Sequence, residues 1–198
     1  TRDPDAGSSW VFFNFNLMEE VQVGGLGANA EYGSYTGAVV NTITKSGGNR
    51  FTGLFDAYWT KGSFWSDNST PELISQNPSL AEPAVVNKRL DLSGQIGGPI
   101  IKDKLFFFVA AQRYEQNDNP SGPLNLHTEV SPRFNTKVTW QPGPNDNLSF
   151  NFQWDYYNQT GRCPGAVGAL CTDQAPDNLT LNQDSPEAIW GLQWRHLF

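Results

Sequence analysis

The sequence predicts an all-β fold: an antiparallel up-and-down transmembrane β-barrel, partial and of about six strands, preceded by the end of a smaller domain. Three observations carry this. Apolar residues recur at every second position in segment after segment, which is the period of a strand with two unlike faces. The links between these segments alternate long and short. The composition is rich in aromatics and poor in charge, with 13% aromatic and 17% charged residues in 198; soluble domains carry about 25% charged. No apolar run approaches the roughly 20 residues of a membrane-spanning helix. The mean hydropathy of −0.48 is no obstacle, because a spanning strand shows lipid only its alternate residues.

The first 49 residues stand apart. Gly24, Gly25, Gly27, Gly33, Gly37, Gly47 and Gly48 break the chain repeatedly. Two short strands are expected there, Glu20–Val23 and Ala38–Thr44. The chain is therefore divided into 1–49, part of a small mixed domain, and 50–198, the strands of the barrel.

In the second part, strands are expected at about 50–59, 88–97, 105–115, 132–141, 148–158 and 187–198. The first sets Phe51, Phe55, Ala57 and Trp59 against Thr52, Asp56 and Tyr58, with Leu54 out of pattern. The second opposes Leu90, Leu92 and Ile96 to Arg89, Asp91, Ser93 and Gln95. In the third, Leu105–Ala111 is apolar on both faces, which suits a strand covered on both sides. The fourth opposes Phe134, Thr136, Val138 and Trp140 to Asn135, Lys137 and Thr139. The fifth is the clearest: Leu148, Phe150, Phe152, Trp154 and Tyr156 on one face, Ser149, Asn151, Gln153 and Asp155 on the other. The sixth sets Trp190, Leu192 and Trp194 against Gln193 and Arg195.

The links then run long (60–87), short (98–104), long (116–131), short (142–147) and long (159–186). Outer-membrane meanders alternate in this way, with tight periplasmic turns and larger extracellular loops. Turn chemistry is read in Gly97-Gly98-Pro99 and in Pro142 to Asp146. Trp59, Trp140 and Tyr156 near strand ends suit interfacial girdles.

The chemistry of other classes is missing. A net charge of −7 without a basic stripe argues against nucleic acid. His127 and His196 lie far apart with no metal-type spacing, so no metal is expected. Glu19 and Glu20 point to opposite faces of a strand and cannot act together as acid and base. Gly24 to Gly27 lacks the pattern of a phosphate loop. No nucleophile elbow is found, no cofactor is implied, and the chain is not read as an enzyme. Cys163 and Cys171 lie close together in Pro/Gly-rich sequence, which predicts one local disulfide in an oxidising compartment. The start at Thr1 carries neither Met nor a signal peptide, so an internal fragment of a longer chain is expected.

A resemblance adds to this reading. Glu19–Val23, then Ala30-Glu31-Tyr32-Gly33, then the run from Gly37 through Val39, Val40, Asn41, Thr44 and Lys45 to Gly47, is similar to the closing part of the plug of TonB-dependent outer-membrane receptors. Asn49–Gly53 resembles entry into their first barrel strand. Gly97–Phe108 resembles the second-to-third strand turn of the Oar-like branch. The likeness is dense over residues 19–115. It implies a parent protein of the bacterial outer membrane with about 22 strands, lipid around it, and a TonB energy-transducing complex as partner through a segment not in this chain. It also implies uptake of a solute through a plugged barrel; the solute is not legible. Asp56, Arg89, Asp91, Lys137, Asn151, Gln153 and Asp155 would then face the lumen. They would line the solute path or hydrogen-bond the plug and one another. The alternative is a soluble or surface β-rich module that holds a glycan or peptide through its aromatics and loops.

Overall fold

The computed structural model describes residues 15–24, 39–66, 68–81, 85–119, 127–162 and 181–198. Strands β1 (Met18–Gly24) and β2 (Val39–Thr44) form a two-stranded antiparallel sheet, with Val21 opposite Thr42. Beyond it, the Lys45 N–H donates to the Leu17 carbonyl at 2.9 Å.

The second sheet has six strands: β3 (Thr52–Lys61), β4 (Val85–Ile101), β5 (Leu105–Asn119), β6 (His127–Gly143), β7 (Asp146–Arg162) and β8 (Leu181–His196). Their spatial order is their chain order, and every neighbouring pair is antiparallel. This is the meander the link lengths foretell. The one α-helix among the described residues, α1 (Pro71–Gln76), sits in the first long link; Thr70 caps it by accepting from the Leu73 N–H at 3.3 Å.

The strands are longer than the sequence suggests. Strands β4, β6 and β7 have 17 residues and β5 has 15. The expected length of about ten covers only the stretch where the two faces contrast. Toward the long links, runs such as Gln116–Asn119 and Asn158–Thr160 are polar on both faces, so no alternation marks them.

One turn assignment is corrected and a second is narrowed. Gly97, Gly98 and Pro99 lie inside β4, and the reversal is made by Lys102–Lys104. Asp103 adopts a φ of 63°, a left-handed conformation that Asp tolerates better than most residues. Likewise Pro142 and Gly143 belong to β6, and Pro144-Asn145 form the turn.

The glycines of β4 serve close packing instead. The linker from β2 to β3 crosses the sheet at this point. A Cβ on Gly47 would stand 2.1 Å from the Phe107 carbonyl oxygen, and one on Gly98 would stand 2.4 Å from the Phe51 ring. Asn49 fastens the same linker to the turn: its Nδ2 donates to Asp103 Oδ1 at 2.5 Å and its Oδ1 accepts the Asp103 N–H at 2.8 Å. Gly47→Ala should therefore destabilise the folded protein by about 1–3 kcal/mol, the usual cost of overpacking against backbone that cannot yield. Thermal unfolding of the parent protein in detergent checks this. An unchanged midpoint would mean the linker has room to move.

Candidate functional site

Cross-strand partners share a face, so the register sorts every strand residue. One face is polar. Asp56, Ser93, Gln112, Arg133, Asp155 and Glu187 form a row across all six strands. Gln95, Asn135 and Gln153 lie in the neighbouring row, with Leu54, Ala110 and Ile189. Ser93, Ser131, Asn135, Ser149 and Asp155 are buried on this face. Burial of so many polar groups on a single-layer sheet needs cover and internal hydrogen bonds.

The cover comes from Asn16, Leu17, Thr44 and Lys45. Asn16 Nδ2 donates to Asp56 Oδ2 at 2.6 Å and lies 3.5 Å from Ser93 Oγ. With its amide turned to satisfy both neighbours, Gln95 donates to the Asn16 carbonyl at 2.9 Å and accepts from Lys45 Nζ at 3.3 Å. Lys137 Nζ donates to the Thr44 carbonyl at 3.1 Å. Leu17 forms a small apolar core with Phe108 and Ala110. The two-sided apolarity of β5 now has a reason. Phe106, Phe108 and Ala110 are buried on the polar face, while Phe107, Val109 and Ala111 belong to the opposite one.

The seven polar residues singled out from sequence all fall on this one face. Asp56 meets Asn16 and Lys137 meets Thr44, as above. Among the described residues, Arg89 and Asp91 bond to the neighbouring strand: Arg89 Nε donates to Gln116 Oε1 at 2.9 Å, and Asp91 Oδ1 accepts from Gln112 Nε2 at 2.7 Å. Gln153 Nε2 donates to Asp155 Oδ2 at 3.1 Å, and Asn151 stands in register with Lys137. Among the motif residues, Val40 and Asn41 lie on β2, where Val40 is exposed and Asn41 Nδ2 donates to Gln22 Oε1 at 3.4 Å. Val39 and Thr44 bound that strand and Lys45 follows it. Glu31, Tyr32, Gly33, Gly37, Cys163 and Cys171 lie outside the described residues.

Sequence reasoning missed a polar chain nearer the long links. Gln116 accepts from Arg89 and Tyr114 and donates to Asp118 Oδ1 at 3.2 Å; Asp118 pairs with His127 Nδ1 at 3.1 Å, and His127 meets Gln159. These residues come from four strands, and only register brings them together. Their signal was the even spacing of Tyr114, Gln116 and Asp118, hidden because the opposite face is polar there as well. No group of three or more His, Cys, Asp or Glu among the described residues is placed to hold a metal.

The opposite face is apolar and open. Phe55, Trp59, Ile96, Trp140, Phe150, Trp190, Leu192 and Trp194 stand 40–72% exposed on it. A soluble domain seldom shows an apolar patch beyond a few hundred Å². A band of this kind running across six strands is the surface a barrel wall turns to hydrocarbon. This feature disfavours the soluble-module alternative.

The comparisons agree with this architecture. Residues 43–129 match the family model of an outer membrane beta barrel domain. Over 109 residues the chain is 31% identical to the TonB-dependent transporter Oar of Myxococcus xanthus; the match covers 55% of this chain and 10% of that relative. No solved structure matches. The apolar wall, the meander and these likenesses together place the chain in the bacterial outer membrane, as barrel strands similar to those of a TonB-dependent transporter, with a match to an outer membrane beta barrel domain over residues 43–129.

Proposed function

We propose that the chain joins the end of a plug, residues 1–49, to the first strands of the barrel, 50–198, in a transporter that takes up a solute with energy from TonB. The observation that carries this reading is the position of Asn16, Thr44 and Lys45 on the polar face, where Asn16, Lys45 and the Thr44 carbonyl bond to Asp56, Gln95 and Lys137. A barrel of about 22 strands is wide enough to leak and needs filling. A polar inner wall gives such a filling its hydrogen-bond partners. Asp56 and Lys137 then hold the plug, whereas Arg89, Asp91, Asn151, Gln153 and Asp155 belong to the lumen wall that plug movement would uncover. The transported solute meets this wall, and the surrounding lipid meets the other.

Conductance tests the reading without knowledge of the solute. The parent protein in a planar bilayer should be nearly closed to ions, and deletion of the whole plug should open a large steady conductance. In cells, uptake should cease when TonB is removed. Equal conductance with and without residues 1–49 and the rest of the plug, or uptake that continues without TonB, would overturn it.

A further inference from the structure

We propose that the long-link end of the apolar face carries a binding site for a phosphorylated lipid headgroup of the outer leaflet, built from Lys61, Lys88 and Arg113. Of the strand cations whose side chains are described, Arg89, Arg133, Lys137 and Arg195 stand on the polar face. Lys61, Lys88 and Arg113 stand on the apolar one: Lys61 and Lys88 pair at the long-link corner of β3 and β4, and Arg113 lies further in, opposite Leu92, joined to Lys88 through Glu115.

Their arrangement is unfavourable without a ligand. Lys61 and Lys88 are direct register partners, so their side chains leave one face side by side. Like charges placed in this way repel. Among the described residues only Glu115 offsets them, at 2.8 Å from Lys88 and 3.6 Å from Arg113. Three cations less one carboxylate leave a formal charge of +2, in a chain whose net charge is −7. Lys61 is exposed and makes no ion pair among the described residues, and the Arg113 side chain is 57% exposed.

The surroundings select a lipid over a free anion. The next pair on the same face is Trp59 opposite Leu90, followed by Ala57 opposite Leu92. The Phe64 ring packs edge-on against Trp59 at 5.2 Å and is itself 63% exposed. The corner is thus a cationic patch continuous with an aromatic and aliphatic floor, which fits a phosphate with acyl chains below it. Long links mark the outward end of such a wall, so the headgroup belongs to the outer leaflet. Lysine and arginine stems are long enough to lift their charge to the headgroup level while lying along apolar surface.

Native mass spectrometry of the detergent-purified parent protein tests the site, with bis-phosphorylated lipid A as probe and phosphatidylcholine and inorganic phosphate as comparisons. Wild type should retain lipid A. K61Q/K88Q should bind it about thirtyfold more weakly, since each cation at a membrane surface favours an anionic headgroup about fivefold. K61R/K88R should retain it, and Lys102→Gln, at the opposite end of the strands, should leave binding unchanged. Equal retention by wild type and K61Q/K88Q would overturn the proposal, as would equal binding of phosphatidylcholine. Displacement of lipid A by equimolar inorganic phosphate would assign the corner to free anions and also overturn it. Should K61Q/K88Q fail to assemble, Arg113→Gln alone decides: a severalfold loss supports the site and no loss refutes it.

Discussion

Phe108→Ala should cost the folded parent protein about 3–5 kcal/mol, the range for emptying a buried phenylalanine site. Phe108 is 4% exposed and forms, with Leu17 and Ala110, the one apolar cluster among the described residues. Its ring lies against Gly97: a Cβ there would come within 3.0 Å of it. Removing the ring therefore opens a void between the sheet and Leu17 that neither neighbour can fill. The loss should fall mainly on the attachment of the segment around Leu17, which among the described residues otherwise rests on hydrogen bonds of Asn16 and Lys45. Faster proteolysis within that segment, together with a lowered unfolding midpoint, is the expected outcome. Phe107→Ala, one residue away on the other face, should leave proteolysis of the segment unchanged. Equal sensitivity of the two variants would show that the segment does not depend on the face that Phe108 occupies.

A second large effect is expected where the wall meets hydrocarbon. Phe152 stands between Thr136 and Trp190 in register, on the apolar face and with aromatic and aliphatic residues on either side along β7. Phe152→Arg should destabilise the inserted barrel by about 2–4 kcal/mol, the cost of a cation near mid-membrane on a lipid-facing strand position. Gln153→Arg, on the polar face beside Asp155, should cost far less, because a carboxylate and neighbouring amides are there to receive the charge. Refolding into lipid vesicles across a denaturant series measures both. Equal tolerance at the two positions would reverse the assignment of the faces.

The contrast between those two positions was fully legible in sequence, because lipid and water impose opposite demands on adjacent residues of β7. The same holds for Arg89 to Gln95 and for Phe134 to Trp140. Legibility ends where both faces of a strand meet water, which is why the outer portions of β5 and β7 read as loop in the sequence. It ends again where a residue answers to a distant partner. Gly97 and Gly98 read as a turn, yet they are small because Gly47 and Phe51 lie on them. Ser93, Ser131, Asn135 and Ser149 carried no signal as single residues; their burial comes from neighbours on other strands and from the segment around Asn16. The turn at Asp103 falls within the expected link 98–104, but its place there is not legible, since a non-glycine residue takes the left-handed conformation.

The length of the strands has a consequence for how such a surface can change over generations. A 17-residue strand such as β4 spans roughly 55 Å at about 3.3 Å per residue, and a tilt near 45° leaves a height close to 40 Å, against an apolar band of about 25 Å. The paired backbone thus extends through the headgroup layer at both ends before any loop departs. A loop that leaves a strand of this length begins in water, from backbone already paired by hydrogen bonds. Insertions and substitutions in the long links therefore never meet the demands of the bilayer. Selection by whatever touches the cell from outside can act on them freely, while the staves beneath stay under the constraint of oil.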